Sequence, residues 1–145
     1  MAKGMDRGSA ETRSVIVERE FPHPPEKLWR ALTQPHLIEE WLMKNDFKPD
    51  VGHRFNIRNN PRPDVNIVID CQVLAVEPHK TLSYTWNALG LESVVTFTLT
   101  ATGTGTHLRM EQVGFRPGQG QAYSGAKHGW QAHLANLDQV LARLD

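Results

Sequence analysis

The end of the chain carries the pattern that most constrains the fold. Within residues 121–144, apolar side chains recur every three or four positions, at Trp130, Leu134, Leu137, Leu141 and Leu144. This spacing places them on one side of an α-helix. The segment contains no proline, and its alanines favour the helical state. The sequence therefore predicts one amphipathic helix about 30 Å long, whose apolar side must be covered by other elements.

Six earlier segments alternate apolar and polar residues, which is typical of strands with one buried face. They are residues 13–21, 53–58, 65–77, 81–87, 92–102 and 106–113. Two short helices are predicted between the first two strands, one at residues 26–32 and one that starts at Pro35, in which Ile38, Trp41 and Leu42 form an apolar stripe. Within residues 65–77 the apolar parity changes at Leu74, which predicts a β-bulge or a strong bend. The pattern predicts an antiparallel sheet packed against the last helix.

The amino-acid composition argues against several classes of protein. Lysine plus arginine equals aspartate plus glutamate, at 16 each, which argues against a protein driven electrostatically to nucleic acid. The single cysteine, Cys71, excludes an internal disulfide, and we interpret it as an inert buried thiol. No segment resembles a signal peptide or a membrane span. We expect a cytoplasmic protein without membrane insertion, with a disordered extension at residues 1–12 and a single domain at residues 13–145.

The sequence contains no motif that identifies a particular chemical reaction. The seven histidines show no metal-binding spacing on a predicted helix, and phosphate-binding glycine loops and nucleophile elbows are not found. We therefore predict no metal and no cofactor. His133 lies one helical turn after Trp130, at the margin of the apolar side. It could bind a ligand or act as an acid or base, or it could simply bond a backbone carbonyl or water, and the sequence leaves these alternatives open.

Large side chains dominate the predicted inner side of the sheet and helix. Core packing would explain them, but one helix does not fill the concave side of a long curved sheet, so an apolar cavity is the alternative. The candidate ligand-binding residues are Trp41, Phe55, Tyr84, Trp86, Phe97, Met110, Phe115, Tyr123, Trp130, His133, Leu134 and Leu137. Among them, Tyr84, Trp86 and His133 could add polar contacts. No residue is assigned as catalytic, and His133 is the one weak candidate.

Several segments resemble a known superfamily. They are residues 21–33 (FPHPPEKLWRALT), residues 73–82 (VLAVEPHKTL), residues 95–99 (VTFTL) and the Gly129-Trp130 pair that precedes the amphipathic pattern. They are similar to the START-like, birch-pollen-allergen superfamily. Within it, the chain resembles the family named for the C-terminal domain of the activator of heat-shock-protein-90 ATPase. The resemblance extends over residues 14–144.

The resemblance implies an α+β helix-grip fold. In it, a curved antiparallel sheet of about six strands wraps around a long C-terminal helix, with two short helices after the first strand. It also implies a protein that binds a small, mostly apolar molecule between helix and sheet, which we favour over an enzyme. The alternatives are a chaperone-interacting module and a cyclase- or hydrolase-like enzyme using His133. The sequence does not decide whether the protein forms a homodimer, so that possibility stays open.

Overall fold

The computed structural model describes residues 12–59 and 63–144. Its elements, in chain order, are β1 (Arg13–Phe21), α1 (Pro25–Thr33), α2 (Pro35–Trp41), β2 (Lys44–Asn45), β3 (Arg54–Arg58), β4 (Val68–Glu77), β5 (Thr81–Ala88), β6 (Leu91–Ala101), β7 (Thr106–Phe115) and α3 (Gly120–Arg143). The predicted disordered extension lies outside the described residues except for Thr12. None of the described helices is both long enough and apolar enough to cross a membrane.

The sheet is antiparallel and has seven strands in the order β1-β7-β6-β5-β4-β3-β2. From β2 to β7, strands that follow one another in sequence are neighbours, as expected for short hairpin connections. The exception is β1, which pairs along its whole length with β7. The predicted sheet of about six strands is confirmed, and the additional strand is β2, whose two residues are too short to show an alternating pattern.

The predicted bulge is also present. The pairing of β4 with β5 shifts between Val73 and Ala75, at the point where the apolar parity of the sequence changes. A bulge adds one residue to one strand, so side chains beyond it point to the opposite face. Leu74 is consequently exposed on the outer face, although it is a large apolar residue.

Two short helices close one end of the sheet. Each begins at a proline, Pro25 or Pro35, where the missing backbone N–H costs nothing. The indole Nε1 of Trp41 donates to the backbone carbonyl of Ala31 at 2.8 Å, which fixes α2 against α1. Trp41 is itself 1 % exposed, so this end of the core is tightly sealed.

The helix α3 lies along the inner face of the sheet, as predicted. Its buried side chains are Trp130, Leu134, Leu137, Val140 and Leu141, and all of them fall in the second half of the helix or at its centre. Arg19 of β1 reaches Asp138 of α3 at 3.3 Å. The second half of α3 is therefore packed against the sheet, whereas the first half contributes no fully buried side chain. The helix-grip fold is confirmed.

Candidate functional site

A cavity of about 540 Å³ lies between the first half of α3 and the inner face of the sheet. The sheet side is formed by strands β4 to β7, by the β5–β6 turn and by the residue that precedes β4; its residues are Ile67, Ile69, Trp86, Ala88, Leu89, Leu91 and Gln112. The helix side is formed by Gly118, Gln119, Gln121, Ala122, Gly125, Ala126, Gly129, Trp130 and His133. Its volume falls within the range of roughly 300–1,000 Å³ that small-molecule sites occupy.

The cavity exists because α3 presents small side chains to the sheet at this point. We call Ala122, Gly125, Ala126 and Gly129 the small-residue face of α3. Their spacing is i, i+3, i+4 and i+7, so they share one side of the helix. A Cβ atom built on Gly125 or Gly129 would meet nothing within 4 Å. Where the second half of α3 fills the space with leucines, the first half leaves it open.

Two tryptophans form the inner wall. The rings of Trp86 and Trp130 have their centroids 5.1 Å apart and are tilted by 55°. Trp130 also meets Phe97 edge to face, with centroids 5.8 Å apart. Because Phe97 is fully buried, this contact joins the cavity wall to the hydrophobic core.

A chain of hydrogen bonds holds these tryptophans in place. The indole Nε1 of Trp130 donates to Oε1 of Gln112 at 2.8 Å, and Nε2 of Gln112 donates to Oγ of Ser93 at 2.9 Å. Ser93 Oγ then donates to the backbone carbonyl of Trp86 at 2.7 Å. Gln112 is 1 % exposed, and such a buried amide must be paired. This series of hydrogen bonds fixes Trp130 relative to the backbone of Trp86, and it uses both the oxygen and the nitrogen of the Gln112 side chain.

His133 lies beside Trp130 on the helix side, with ring centroids 5.7 Å apart. Its Nδ1 is buried and has no hydrogen-bond partner among the described residues. Burial lowers the pKa of His133, and a hydrogen bond to the backbone of Trp41 works in the opposite direction. Among the described residues that line the cavity, His133 is the only titratable one. The wall therefore carries no fixed charge within the described part of the chain.

Two turns meet at the mouth of the cavity. The β5–β6 turn has Leu89 at φ +53° and Gly90 at φ +83°, and Leu89 is 94 % exposed. Facing it, Arg116 Nη2 and Gln119 Nε2 both donate to the backbone carbonyl of Gly90, at 3.4 and 3.3 Å. The connection before α3 is thus held against the sheet by side-chain bonds to one carbonyl oxygen.

The structure places three of the sequence-predicted residues, Trp86, Trp130 and His133, on the cavity wall. The others do not line it. Trp41, Phe55, Tyr84, Phe97, Met110, Phe115, Leu134 and Leu137 are core residues. Tyr123 is half-buried against Phe115, with the guanidinium of Arg13 4.0 Å from its ring centroid. Cys71 is buried too, and burial raises the pKa of its thiol to about 12, so it stays protonated at neutral pH.

Sequence reasoning missed most of the cavity wall. The sequence pattern points to large aromatic residues, but large inward side chains fill space and so become core. The informative signal was the opposite one, namely glycine and alanine at helical spacing before Trp130. The mouth on the sheet side, at Leu89, could not be identified because a turn residue has no periodicity. No group of three or more metal-ligating side chains is found among the described residues.

Comparisons with known proteins agree with this architecture. A Mesorhizobium loti protein, MLL2253, whose crystal structure is known, is 67 % identical, with a TM-score of 0.85 over 92 % of this chain and 99 % of that chain. A Rhodobacter sphaeroides protein is 25 % identical, with a TM-score of 0.79 over 94 % and 95 %. DynU16, from the dynemicin biosynthetic locus, is 26 % identical, with a TM-score of 0.77 over 90 % of this chain and 47 % of that chain.

The comparison with curated proteins gives no match. The family described as Activator of Hsp90 ATPase homolog 1-like protein matches residues 22–142, which include both short helices, strands β2 to β7 and almost all of α3. The chain therefore belongs to the Activator of Hsp90 ATPase homolog 1-like protein family, a START-like family with the helix-grip fold.

Proposed function

We propose that this protein binds a small, uncharged and largely apolar molecule in the cavity between the first half of α3 and the sheet. The observation that carries this proposal is the cavity itself, about 540 Å³ in volume and without a charged side chain among its described lining residues. An apolar wall favours an apolar ligand, because burying apolar surface supplies most of the binding free energy.

The expected affinity is moderate. A flat molecule that buries on the order of 250 Å² of apolar surface gains about 6 kcal/mol before the cost of association. Association consumes a large share of that gain. A binding experiment therefore needs probe concentrations that extend well into the micromolar range.

A fluorescent probe tests the proposal. N-phenyl-1-naphthylamine is neutral and apolar, and its emission rises when it leaves water. We expect saturable binding of one molecule per chain. In Gly129→Leu the new side chain enters the open space at the small-residue face, where a Cβ meets nothing within 4 Å, so at least a tenfold loss of affinity is expected.

Ala132→Leu provides the matched control. It adds a leucine to the same helix at an exposed position that does not line the cavity, so probe affinity should not change. Equal binding by the wild type and Gly129→Leu would place the probe elsewhere and remove the support for a cavity ligand. Circular dichroism confirms that each variant is folded.

The family match supports a second candidate, a chaperone-interacting module. Immobilised full-length chain should then retain the Hsp90-type chaperone purified from the same cells, and Gly129→Leu should retain it equally well if the contact is a surface contact. A third candidate, an enzyme of the cyclase or hydrolase type, would have to use His133 as its acid or base. The His133→Ala variant would then lose turnover while keeping the fold.

A further inference from the structure

The polar side chains of the cavity wall are largely paired within the protein. The indole Nε1 of Trp130, both amide atoms of Gln112 and Oγ of Ser93 belong to one series of hydrogen bonds. On the helix side, Gln119 also uses both amide atoms. Its Oε1 accepts from the backbone N–H of Arg116 at 2.7 Å, and its Nε2 donates to a backbone carbonyl at 3.3 Å. These groups are therefore not free to bond a ligand.

The indole N–H of Trp86 is different. Trp86 lines the cavity and is half-buried. Its Nε1 has no hydrogen-bond partner among the described residues. Within that part of the chain, the one buried side-chain nitrogen or oxygen atom without a partner is Nδ1 of His133. Nε1 of Trp86 is consequently not a buried atom. It is an accessible donor, and an indole nitrogen cannot accept.

The accessible surface of Trp86 borders the cavity. The side chain lies on the inner face of the sheet, where its ring packs against that of Trp130 with centroids 5.1 Å apart. This contact covers one side of the indole. Across the cavity lies the small-residue face of α3, where a Cβ on Gly125 or Gly129 would meet nothing within 4 Å. A molecule that fills the cavity thus comes within reach of the indole N–H.

We propose that the ligand carries a neutral hydrogen-bond acceptor, a carbonyl or ether oxygen, which accepts from Nε1 of Trp86. This inference rests on the proposed function and specifies the ligand further: an uncharged ketone, ester or ether with an apolar body. A ligand without an acceptor would displace water from the N–H and leave the donor unpaired, which opposes binding. A carboxylate is disfavoured, because no charged side chain among the described lining residues would offset its lost hydration.

Two probes of the same shape test the inference. 2-Acetylnaphthalene has a carbonyl oxygen where 2-isopropenylnaphthalene has a methylene group, so only the ketone can accept a hydrogen bond. Affinities for the full chain are measured by displacement of N-phenyl-1-naphthylamine and by calorimetry. The ketone loses more hydration on leaving water, so the informative quantity is the ratio of the two affinities. Comparing that ratio between wild type and variant cancels the hydration difference.

A variant at position 86 identifies the donor. Trp86→Phe keeps an aromatic ring but removes the N–H group. We expect the affinity ratio, ketone over hydrocarbon, to be about five- to tenfold lower in Trp86→Phe than in the wild type, which is the net effect of one neutral hydrogen bond. Trp29→Phe is the matched control, because Trp29 is half-buried in α1 and does not line the cavity. Its ratio should equal that of the wild type.

Nuclear magnetic resonance of the wild type provides a second readout. The four tryptophans give four indole N–H signals. A hydrogen bond to a carbonyl moves the indole proton downfield, whereas the ring current of the naphthalene is common to both probes. We expect the signal assigned to Trp86 to lie further downfield in the ketone complex than in the hydrocarbon complex. This comparison needs no variant, so a variant that fails to fold does not block the test.

The outcomes separate the two proposals. If Trp86→Phe keeps the wild-type affinity ratio, or if the Trp86 signal is the same in both complexes, the acceptor inference is wrong and the cavity proposal stands. If neither probe displaces N-phenyl-1-naphthylamine and neither binds in calorimetry, the cavity proposal falls and the acceptor inference falls with it.

Discussion

At the scale of single residues, His107 shows how two strands are held together on the outer face of the sheet. Its Nδ1 lies 2.6 Å from Oε2 of Glu20, and its Nε2 lies 2.7 Å from Oε1 of Glu18. Both ring nitrogens can donate at once only in the imidazolium form. The hydrogen bonds to these two carboxylates accordingly raise the pKa of His107 above 6.5.

This arrangement predicts a pH dependence of stability. A group whose pKa is raised on folding stabilises the native state fully below its unfolded pKa, and the effect is lost as pH rises through the folded pKa. His107→Gln removes the titration and keeps a hydrogen-bond donor. The difference in unfolding free energy between wild type and His107→Gln should therefore be larger at about pH 5.5 than at about pH 9.

Urea titrations at both pH values measure this difference. Subtracting the variant from the wild type cancels the opposing contribution of His133, whose pKa is lowered. The effect should be modest, because His107 is only half-buried and its two carboxylate partners are exposed, so water and salt screen the interaction. A difference that does not vary with pH would show that the imidazolium adds nothing to folding.

Leu89 is held in a backbone conformation that leucine disfavours. Its φ of +53° and that of Gly90, +83°, are the signs required by a two-residue type I′ hairpin turn. Leucine loses roughly 1–2 kcal/mol in this region, whereas asparagine tolerates it. Because Leu89 is 94 % exposed, burial does not compensate for the strain.

We therefore expect Leu89→Asn to raise the unfolding free energy by about 1 kcal/mol. The same change removes apolar surface from the cavity mouth, so binding of N-phenyl-1-naphthylamine should weaken. Thermal unfolding and probe titration measure the two effects. If Leu89→Asn is more stable but binds the probe as tightly as the wild type, the Leu89 side chain does not contribute to probe binding. If the variant is less stable, the argument that Leu89 is strained is wrong.

At the scale of elements, the β6–β7 hairpin provides a matched pair of glycines. A Cβ added to Gly105 would overlap the backbone carbonyl oxygen of Phe21, whereas one added to Gly103 would meet nothing within 4 Å. The Gly105 position is where the hairpin passes directly over the end of β1. Nearby, Thr106 Oγ1 donates to the carbonyl of His23 at 2.6 Å, which fixes the two backbones together.

Gly105→Ala should therefore destabilise the protein by about 2 kcal/mol or more, since only backbone movement relieves the overlap. Gly103→Ala, two residues away in the same turn, should change stability by less than about 0.5 kcal/mol. Chemical denaturation of both variants gives the comparison. Equal effects would mean that the hairpin is free to move away from β1.

The elements themselves were largely predictable from the sequence. The bounds of β1 and the parity change in β4 follow from local patterns, because side-chain direction in a strand alternates with every residue. β2 was missed, since two residues carry no period. In α3 the pattern gave the buried stripe but not the division of the helix into a packed half and an open half. That division depends on side-chain volume rather than on periodicity.

At the scale of the whole molecule, a cavity ligand must stabilise the fold. A molecule that binds the native state alone adds about 2.7 kcal/mol at a free concentration one hundred times its dissociation constant. Saturating N-phenyl-1-naphthylamine should thus raise the melting temperature of the wild type. It should raise that of Gly129→Leu by about half as much or less, because the added leucine occupies the space and weakens binding at least tenfold.

Differential scanning fluorimetry with an orthogonal readout, such as circular dichroism, measures this shift. Ala132→Leu is again the control and should respond like the wild type. An equal shift in all three proteins would indicate binding outside the cavity. A fall in melting temperature would indicate that the probe prefers the unfolded chain.

The sequence by itself determined which side chains turn inward, because periods of 2.0 and 3.6 residues are properties of the local backbone. Hence Trp130, Leu134 and Leu137 could be assigned to one buried side of α3. The tertiary structure decided whether each inward residue packs in the core or lines the cavity. Pairing of β1 with β7 joins segments about 90 positions apart, and no local pattern encodes that register. The gap beneath Gly125 and Gly129 likewise depends on the distance between helix and sheet, which the side chains of both elements set together.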